Sequence, residues 1–399
     1  MHKSKAIGAA ALVLVLSLPA LADERPPVVL GFAIAQSGFM APYDGESSAK
    51  AVELWMKDQN AKGGLLGRKV TAVYSDTKSD RIQGAKAGLE VVREGANMVI
   101  VSCDYDMGAP AALAAQQAGL VSMFLCAEDP KAGVQGAGPY AFTSSVASQV
   151  QGATMAEWAY EKLGTRRPYL LLDTTSEYNK SLCAGFEWAA AKLDGLEIAG
   201  SDSFRNEDAS IQPQITRISS LPEPPDAIMV CSGNPGAPAA LRQIRGSGLN
   251  MPLLEGSTMD GTYWMDAVPG LTDFYVPVQA SIYGDDPRPA VQAFNAKFKE
   301  AYGSLPISQY TYPAYAFMEL WGRAVEQAGT LDAAAVVPIL ESFKDAPTYL
   351  GPRSFSPEMH IQTDSPYLIV KTTDGKPAVV GEHRIAEPIP FNVLFRLKD

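Results

Sequence analysis

The chain has 399 residues, of which 47% are hydrophobic and 19% are charged, and its formal net charge at pH 7 is −11. This length exceeds that of a usual single domain and predicts two domains with large cores. The acidic balance disfavours phosphate backbones and acidic membrane surfaces, so we expect no nucleic-acid partner.

The first 22 residues have the layout of a secretory signal peptide. Lys3 and Lys5 precede an uncharged apolar run, and Ala20-Leu21-Ala22 has the small-x-small pattern of a cleavage site. The apolar run is too short to span a bilayer permanently. We therefore predict cleavage after Ala22 and export of the mature protein to the periplasm. An uncleaved N-terminal anchor is the alternative, and the good cleavage triplet argues against it.

From Val28 onward, short apolar runs alternate with helical patterns. Strands are predicted at "VVLGFAIA", "KVTAVYSD", "MVIVSC", "VSMFLC" and near "YAFTSS". Helices are predicted at "ESSAKAVELWMKDQNAKGG", at "RIQGAKAGLEVVREG" and from near Gly108. This alternation indicates βαβ units, right-handed crossovers and a parallel sheet whose strands end on one edge.

The pattern then restarts and predicts a second α/β unit. Its strands are expected at "PYLLLDT", "EIAGSDSF", "DAIMVCS" and "PLLEGS", and no sequence repeat relates the two halves. After Phe274, a strand and two long helices have no sheet of their own, so we expect them to return to the first domain. The predicted boundaries are 27–146 plus 279–350 for the first lobe, and 147–278 plus 351–399 for the second.

The predicted mature chain has four cysteines: Cys103, Cys126, Cys183 and Cys231. An even number in an oxidising compartment permits two disulfides. Cys103 and Cys126 end strands expected to be adjacent, a separation that suits a bridge, and Cys183 with Cys231 is the second candidate pair. Buried free thiols are the alternative. The spacings fit no zinc pattern, so we expect no metal site.

Several motifs, in order along the mature chain, resemble the type I periplasmic solute-binding proteins of ABC transporters, the leucine/isoleucine/valine-binding group. They are "SG" at 37–38, "YDG" at 43–45, "NAKGGLLG" at 60–67, "DTKSD" at 76–80, "FNAKFKEAYGSLP" and "YTYPAYAFMEL". The resemblance implies two Rossmann-like α/β lobes with parallel sheets, joined by three hinge crossings, which close on a small ligand. It also implies a monomer that needs no cofactor and delivers its ligand to a membrane permease.

The ligand should contact the loops that follow the strands on both facing edges. With the resemblance, this placement predicts nine ligand-binding residues: Ser37, Asp104, Tyr105, Ala127, Glu128, Tyr178, Asn234, Thr258 and Asp260. Members that bind amino acids hold the ligand carboxylate with small hydroxyl residues after the third and fourth strands. Here Asp104 and Glu128 occupy those places. A ligand carboxylate would meet like charge there, so we expect an amine, amide or polyol rather than a simple amino acid.

Other interpretations of these acids stay open. Asp104 or Asp106 could cap the following helix, and we favour ligand contact for Asp104 more than for Asp106. Glu128 and Asp129 could be solvated loop residues before Pro130. No nucleophile elbow, phosphate loop or H-E-x-x-H motif is present, so we predict a binding protein and not an enzyme. A periplasmic receptor component that senses its ligand is the alternative function.

Overall fold

The computed structural model describes residues 25–397, so the predicted signal peptide lies outside the described residues. Within that range, no helix combines the length and the apolar character that crossing a membrane would require. The structure is built on two separate sheets, each covered by helices. The predicted α/β class with two mainly parallel, hinge-linked lobes is confirmed.

The first sheet contains five strands in the order β2-β1-β3-β4-β5, all parallel. Its strands are β1 (Val28–Ile34), β2 (Val70–Asp76), β3 (Met98–Val101), β4 (Ser122–Phe124) and β5 (Ala141–Phe142). The connecting helices are α1 (Ala49–Ala61, preceded by a π-helical turn at Asp44–Ser48), α2 (Arg81–Arg93), α3 (Tyr105–Gln117) and α4 (Val134–Ala137). The third helix begins at Tyr105, three residues earlier than predicted, because Asp104 caps it.

The second sheet contains seven strands in the order β12-β11-β10-β9-β8-β6-β7. Its strands are β6 (Pro168–Asp173), β7 (Gly200–Phe204), β8 (Ala227–Cys231), β9 (Leu253–Leu254), β10 (Phe274–Val278), β11 (Tyr367–Thr373) and β12 (Lys376–His383). The helices that cover it include α5 (Ser148–Trp158), α6 (Glu177–Ala190), α7 (Gln212–Ser219) and α8 (Gly236–Gly246). Strands β6 to β10 pair in parallel, whereas β11 and β12 add an antiparallel edge.

The chain after Phe274 divides between the lobes. Its strand, β10, pairs with β9 and β11 in the second sheet, where it falls within the range 147–278 predicted for the second lobe, and it does not return to the first domain with the helices that follow. An all-apolar strand of this kind fits the centre of the second sheet, where both faces are covered. The later helices do pack in the first lobe's core: α9 (Pro289–Tyr302), α10 (Thr311–Ala328) and α11 (Ala333–Glu341). The short α12 (Phe391–Leu394) packs on α6 in the second lobe.

Three segments connect the two sheets: 143–147, 279–288 and 342–366. The first and third run side by side, because Val146 forms a parallel bridge with Gln362. The Gln362 backbone N–H donates to the Ser145 carbonyl (2.9 Å), and the Ala147 N–H donates to the Gln362 carbonyl (2.8 Å). The second also lies beside the third, because Arg288 Nη1 donates to the Leu350 carbonyl (3.4 Å), so the three connections lie together and form the hinge between the lobes.

Candidate functional site

A cavity of about 410 Å³ lies between the lobes, where the carboxyl ends of strands from both sheets face each other. Six of the nine predicted ligand-binding residues line it: Asp104, Tyr105, Glu128, Tyr178, Asn234 and Thr258. They come from both lobes, so a molecule in this cavity would be enclosed by their closure.

The other three predicted residues lie outside the cavity wall. Ser37 is exposed, and its hydroxyl donates to Asp76 Oδ2 (2.7 Å). Ala127 is buried in the core of the first lobe. Asp260 is buried and accepts hydrogen bonds from the Tyr283 hydroxyl (2.6 Å) and the Gln309 N–H (2.7 Å). Their polar groups are engaged elsewhere or, for Ala127, absent, so the proposed ligand contacts are the six residues that line the cavity.

Asp44 positions the two loops of the first lobe that lead to the cavity. It is fully buried, and it accepts hydrogen bonds from the N–H groups of Ala35 (2.9 Å), after β1, and of Cys103 (2.8 Å), after β3. Burial raises its pKa to about 6. This aspartate therefore serves the structure of the site and determines where the β3 loop presents Asp104.

The chain's own carboxylates occupy two helix N-termini beside the cavity. Asp104 accepts a hydrogen bond from the Met107 N–H (3.1 Å) and caps α3. Asp106 reaches across the cleft and accepts one from the N–H of Glu177 (2.9 Å), the first residue of α6. From the sequence, capping of α3 was considered more plausible for Asp106 than for Asp104. In the structure Asp104 is the residue that caps α3.

Two further acids of the cavity are buried. Glu128 and Asp129 are 3% and 2% exposed, so their interpretation as solvated loop residues is wrong. Glu128 accepts hydrogen bonds from the hydroxyls of Ser257 (2.7 Å) and Tyr310 (2.9 Å). The side-chain amides of Gln279 and Gln309 both lie 3.4 Å from its second oxygen.

Burial raises the pKa of both Asp104 and Glu128 to about 7. For Asp104, the negative charge of Asp106 adds to this effect, while backbone N–H groups oppose it. For Glu128, hydrogen-bond donors such as Ser257 oppose it. The ionised form of either group is thus costly at these buried positions, and a cation or a hydrogen-bond donor from a ligand would favour it.

Hydrogen bonds between the lobes show that they are closed over the cavity. Asn234 Nδ2 of the second lobe donates to the hydroxyl of Tyr43 in the first lobe (2.7 Å). The Tyr43 hydroxyl in turn donates to the carbonyl of Thr258 in the second lobe (3.1 Å). The Ser181 hydroxyl, on α6, donates to Asp129 (2.7 Å).

Tyr43 and Tyr310 also line the cavity, with ring centroids 5.6 Å apart, and the sequence did not single them out. Tyr43 does lie in the "YDG" motif, which was a usable signal.

Both predicted disulfides are present. Cys103 pairs with Cys126, and their Cα atoms are 4.4 Å apart, while Cys183 pairs with Cys231 at a Cα separation of 5.8 Å. The first bridge lines the cavity and joins the loops after β3 and β4. The prediction that these loops are covalently linked is confirmed.

The charged side chains of the cavity wall are all acidic. Among residues 25–397, no lysine or arginine lines it, although several acids do. In the same part of the chain, no group of three His, Cys, Asp or Glu residues is arranged to hold a metal ion. The site therefore offers carboxylates, amides, hydroxyls and aromatic rings to a ligand.

Two α/β lobes with a closable cavity at their facing strand ends define a periplasmic binding protein of type I. Residues 27–377 match the family described as periplasmic binding protein, and the chain belongs to this family. The resemblance found in the sequence is confirmed. Members of the family are periplasmic solute-binding proteins of ABC transporters rather than enzymes.

The curated relatives span nearly the whole chain. The Leu/Ile/Val-binding protein homolog 3 of Brucella melitensis is 25% identical over 384 residues, which cover 92% of this chain and 100% of the relative. The Leu/Ile/Val-binding protein of Escherichia coli K12 is 24% identical over 357 residues, which cover 88% and 91%.

Solved structures agree in fold. The branched-chain amino acid transporter substrate-binding protein LivJ from Streptococcus pneumoniae, in complex with isoleucine, has a TM-score of 0.78 at 22% identity and covers 90% of this chain and 100% of its own. A solute-binding protein from R. palustris, in complex with benzoate, has a TM-score of 0.74 at 19% identity and covers 91% and 98%.

Proposed function

We propose that this protein captures a small amine or amide with an apolar body and delivers it to the permease of an ABC importer. The same proposal includes two further points. The chain is exported and cleaved after Ala22, and it acts as a monomer. The ligand enters between the open lobes and is enclosed when they close.

The observation that carries the ligand class is the occupation of the helix N-termini by Asp104 and Asp106. Helix N-termini at strand ends are the natural place for a ligand's anionic group, because their N–H groups and dipole favour negative charge. Here the first turns of α3 and α6 already hold carboxylates of the chain. With no cationic side chain in the cavity wall of the described residues, a ligand carboxylate would have no cationic partner and would meet like charge.

The apolar part of the proposed ligand follows from the rings in the wall. Phe39, Tyr43, Tyr105, Tyr178 and Tyr310 all contribute to the lining. Such faces suit an aromatic or alkyl body and, over the rings, a cation. They suit a polyol less well, which is why we favour an amine or amide among the three classes expected from the sequence.

This ligand class differs from that of two structural relatives. LivJ holds isoleucine, and the R. palustris protein holds benzoate, and both molecules carry a carboxylate. The difference suggests the use of three probes with one ring and different head groups: benzylamine, benzamide and benzoate.

Isothermal titration calorimetry with these probes and leucine tests the proposal. We expect benzylamine or benzamide to bind and benzoate and leucine to give no heat. Benzoate or leucine binding more tightly than both other probes would contradict it. Native mass spectrometry of protein purified from the periplasm would reveal a co-purified ligand, the mature N-terminus and the oligomeric state together.

The pH dependence of binding separates the amine from the amide. Because burial raises the pKa of Asp104 to about 7, this carboxyl is increasingly protonated below pH 7 before a ligand binds. Benzylamine needs the ionised carboxylate, so its affinity should rise between pH 6 and pH 8 and then level off. Benzamide has no cationic group and offers the carboxylate only an N–H donor, so its affinity should change much less over that range.

A further inference from the structure

The hinge contains a buried arginine that contacts all three connections between the lobes. Arg353 belongs to the third connection and is 3% exposed. Its Nε donates to the carbonyl of Ser144 in the first connection (3.1 Å), and its Nη2 donates to the Gln279 side-chain oxygen in the second (3.3 Å). Its Nη1 donates to the carbonyl of Pro352 in its own segment (3.0 Å).

The backbone of Arg353 is also held in place. Its N–H and C=O groups exchange hydrogen bonds with Ala346 (3.0 and 2.9 Å), so the side chain projects from a short antiparallel bridge. A guanidinium has five donors in a rigid plane and can therefore join several oxygens in one geometry. Few other side chains could connect three separate segments in this way.

No carboxylate pairs directly with Arg353 in the part of the chain that the structure describes. Burying an unpaired charge is costly, and burial lowers the pKa of this guanidinium to about 10. A cation of this kind is retained only if its environment supplies enough oxygen acceptors. All three acceptors of Arg353 belong to the hinge connections. This indicates that the arginine is buried, despite the unfavourable free energy of burying its charge, because it fixes the geometry of the hinge.

Gln279 links this arginine to the ligand cavity. Its side-chain oxygen accepts from Arg353, and its side-chain Nε2 lies 3.4 Å from Glu128 Oε1. Glu128 lines the cavity. A continuous chain of polar contacts therefore runs from the cavity wall to the centre of the hinge.

We infer that Arg353 is the positioning residue of the hinge: it holds the three connections in one arrangement and, through Gln279 and Glu128, ties that arrangement to the ligand cavity. The open and closed lobes then differ by a defined rotation, because the connections move as one unit. This inference rests on the lobe closure in the proposed function but not on the ligand class.

The test measures the distance between the lobes in the ligand-free protein. Spin labels are attached through noncanonical amino acids at Lys86 on α2 and Asp194 after α6, two exposed positions, so that the disulfides stay intact. We expect Arg353→Met to broaden the distance distribution at least twofold relative to the wild type. Arg353→Lys keeps the charge but not the planar donor set, so it should give an intermediate width.

Arg245→Met is the matched control. Arg245 also donates to several backbone carbonyls, those of Leu249, Met251 and Thr272, but all of them lie in the second lobe. Its loss should lower stability without widening the distribution. A purely structural role for Arg353 would make the two variants behave alike.

Equal widths for Arg353→Met and the wild type, or equal broadening in both arginine variants, would overturn the inference. If Arg353→Met fails to fold, Arg353→Lys and Gln279→Met provide the comparison, and unchanged widths in both would overturn it equally. A wild-type protein whose lobes keep one rigid distance without ligand and with each of benzylamine, benzamide, benzoate and leucine would instead refute the proposed closure itself.

Discussion

Replacing Glu128 with glutamine should make the protein more stable at neutral pH and nearly unchanged at acidic pH. Burial raises the Glu128 pKa from 4.5 to about 7, so the folded state binds this proton more tightly than the unfolded state. The stabilisation from the protonated carboxyl is complete below pH 4.5 and is lost as the pH rises through 7. One pKa unit corresponds to about 1.4 kcal/mol, so the pH-dependent part amounts to about 3 kcal/mol.

The assay is urea unfolding of the ligand-free, disulfide-bonded protein at pH values from 4 to 8. The difference in the free energy of unfolding between Glu128→Gln and the wild type should grow by about 3 kcal/mol in favour of the variant over this range. Glu94→Gln, at the exposed end of α2, controls for the loss of one negative charge. A difference that stays constant from pH 4 to pH 8 would refute the reasoning.

Three further predictions follow from the structure. Asp104→Asn should weaken benzylamine binding at least tenfold at pH 8 and reduce its dependence on pH to the part that Glu128 contributes, which calorimetry at pH 6 and pH 8 would measure. Gly185→Ala places a methyl group 2.0 Å from a backbone carbonyl of α5, so it should cost about 3 kcal/mol or more in urea unfolding, whereas Gly246→Ala, with open space around it, should not destabilise. Replacing both Cys103 and Cys126 with serine should lower the free energy of unfolding by about 2–4 kcal/mol, and a loss below 1 kcal/mol would argue against the bridge.

Much of the fold could be predicted from short-range patterns. Apolar runs such as Met98–Val101 between amphipathic helices indicate buried parallel strands, and the structure contains them. The strand at Phe274–Val278 fell within the predicted second lobe, yet it was also expected to return to the first domain, because an apolar run indicates burial but not the sheet in which the strand lies. The partners of β10 are set by long-range contacts with β9 and β11, which no local pattern encodes.

For the candidate site, too, the sequence predicted part of the arrangement and missed the rest. Six of the nine predicted residues line the cavity, because strand ends at one edge of a sheet can be located from the strands alone. Ser37 and Asp260 also follow predicted strands, yet their polar groups bond to Asp76, Tyr283 and Gln309. The sequence cannot tell a side chain that turns towards the ligand from one that turns towards a neighbour.

The amino-acid sequence by itself determined the class of fold, the family and the acidic character of the cleft, since these depend on periodicity, ordered motifs and residue type. The tertiary structure alone decided that Asp106 reaches α6 of the opposite lobe and that Arg353 joins the three hinge segments. Both contacts connect residues distant in the chain, and such contacts depend on how the two lobes are packed together. Their energies come from burial and hydrogen-bond geometry, which exist only after that packing is complete.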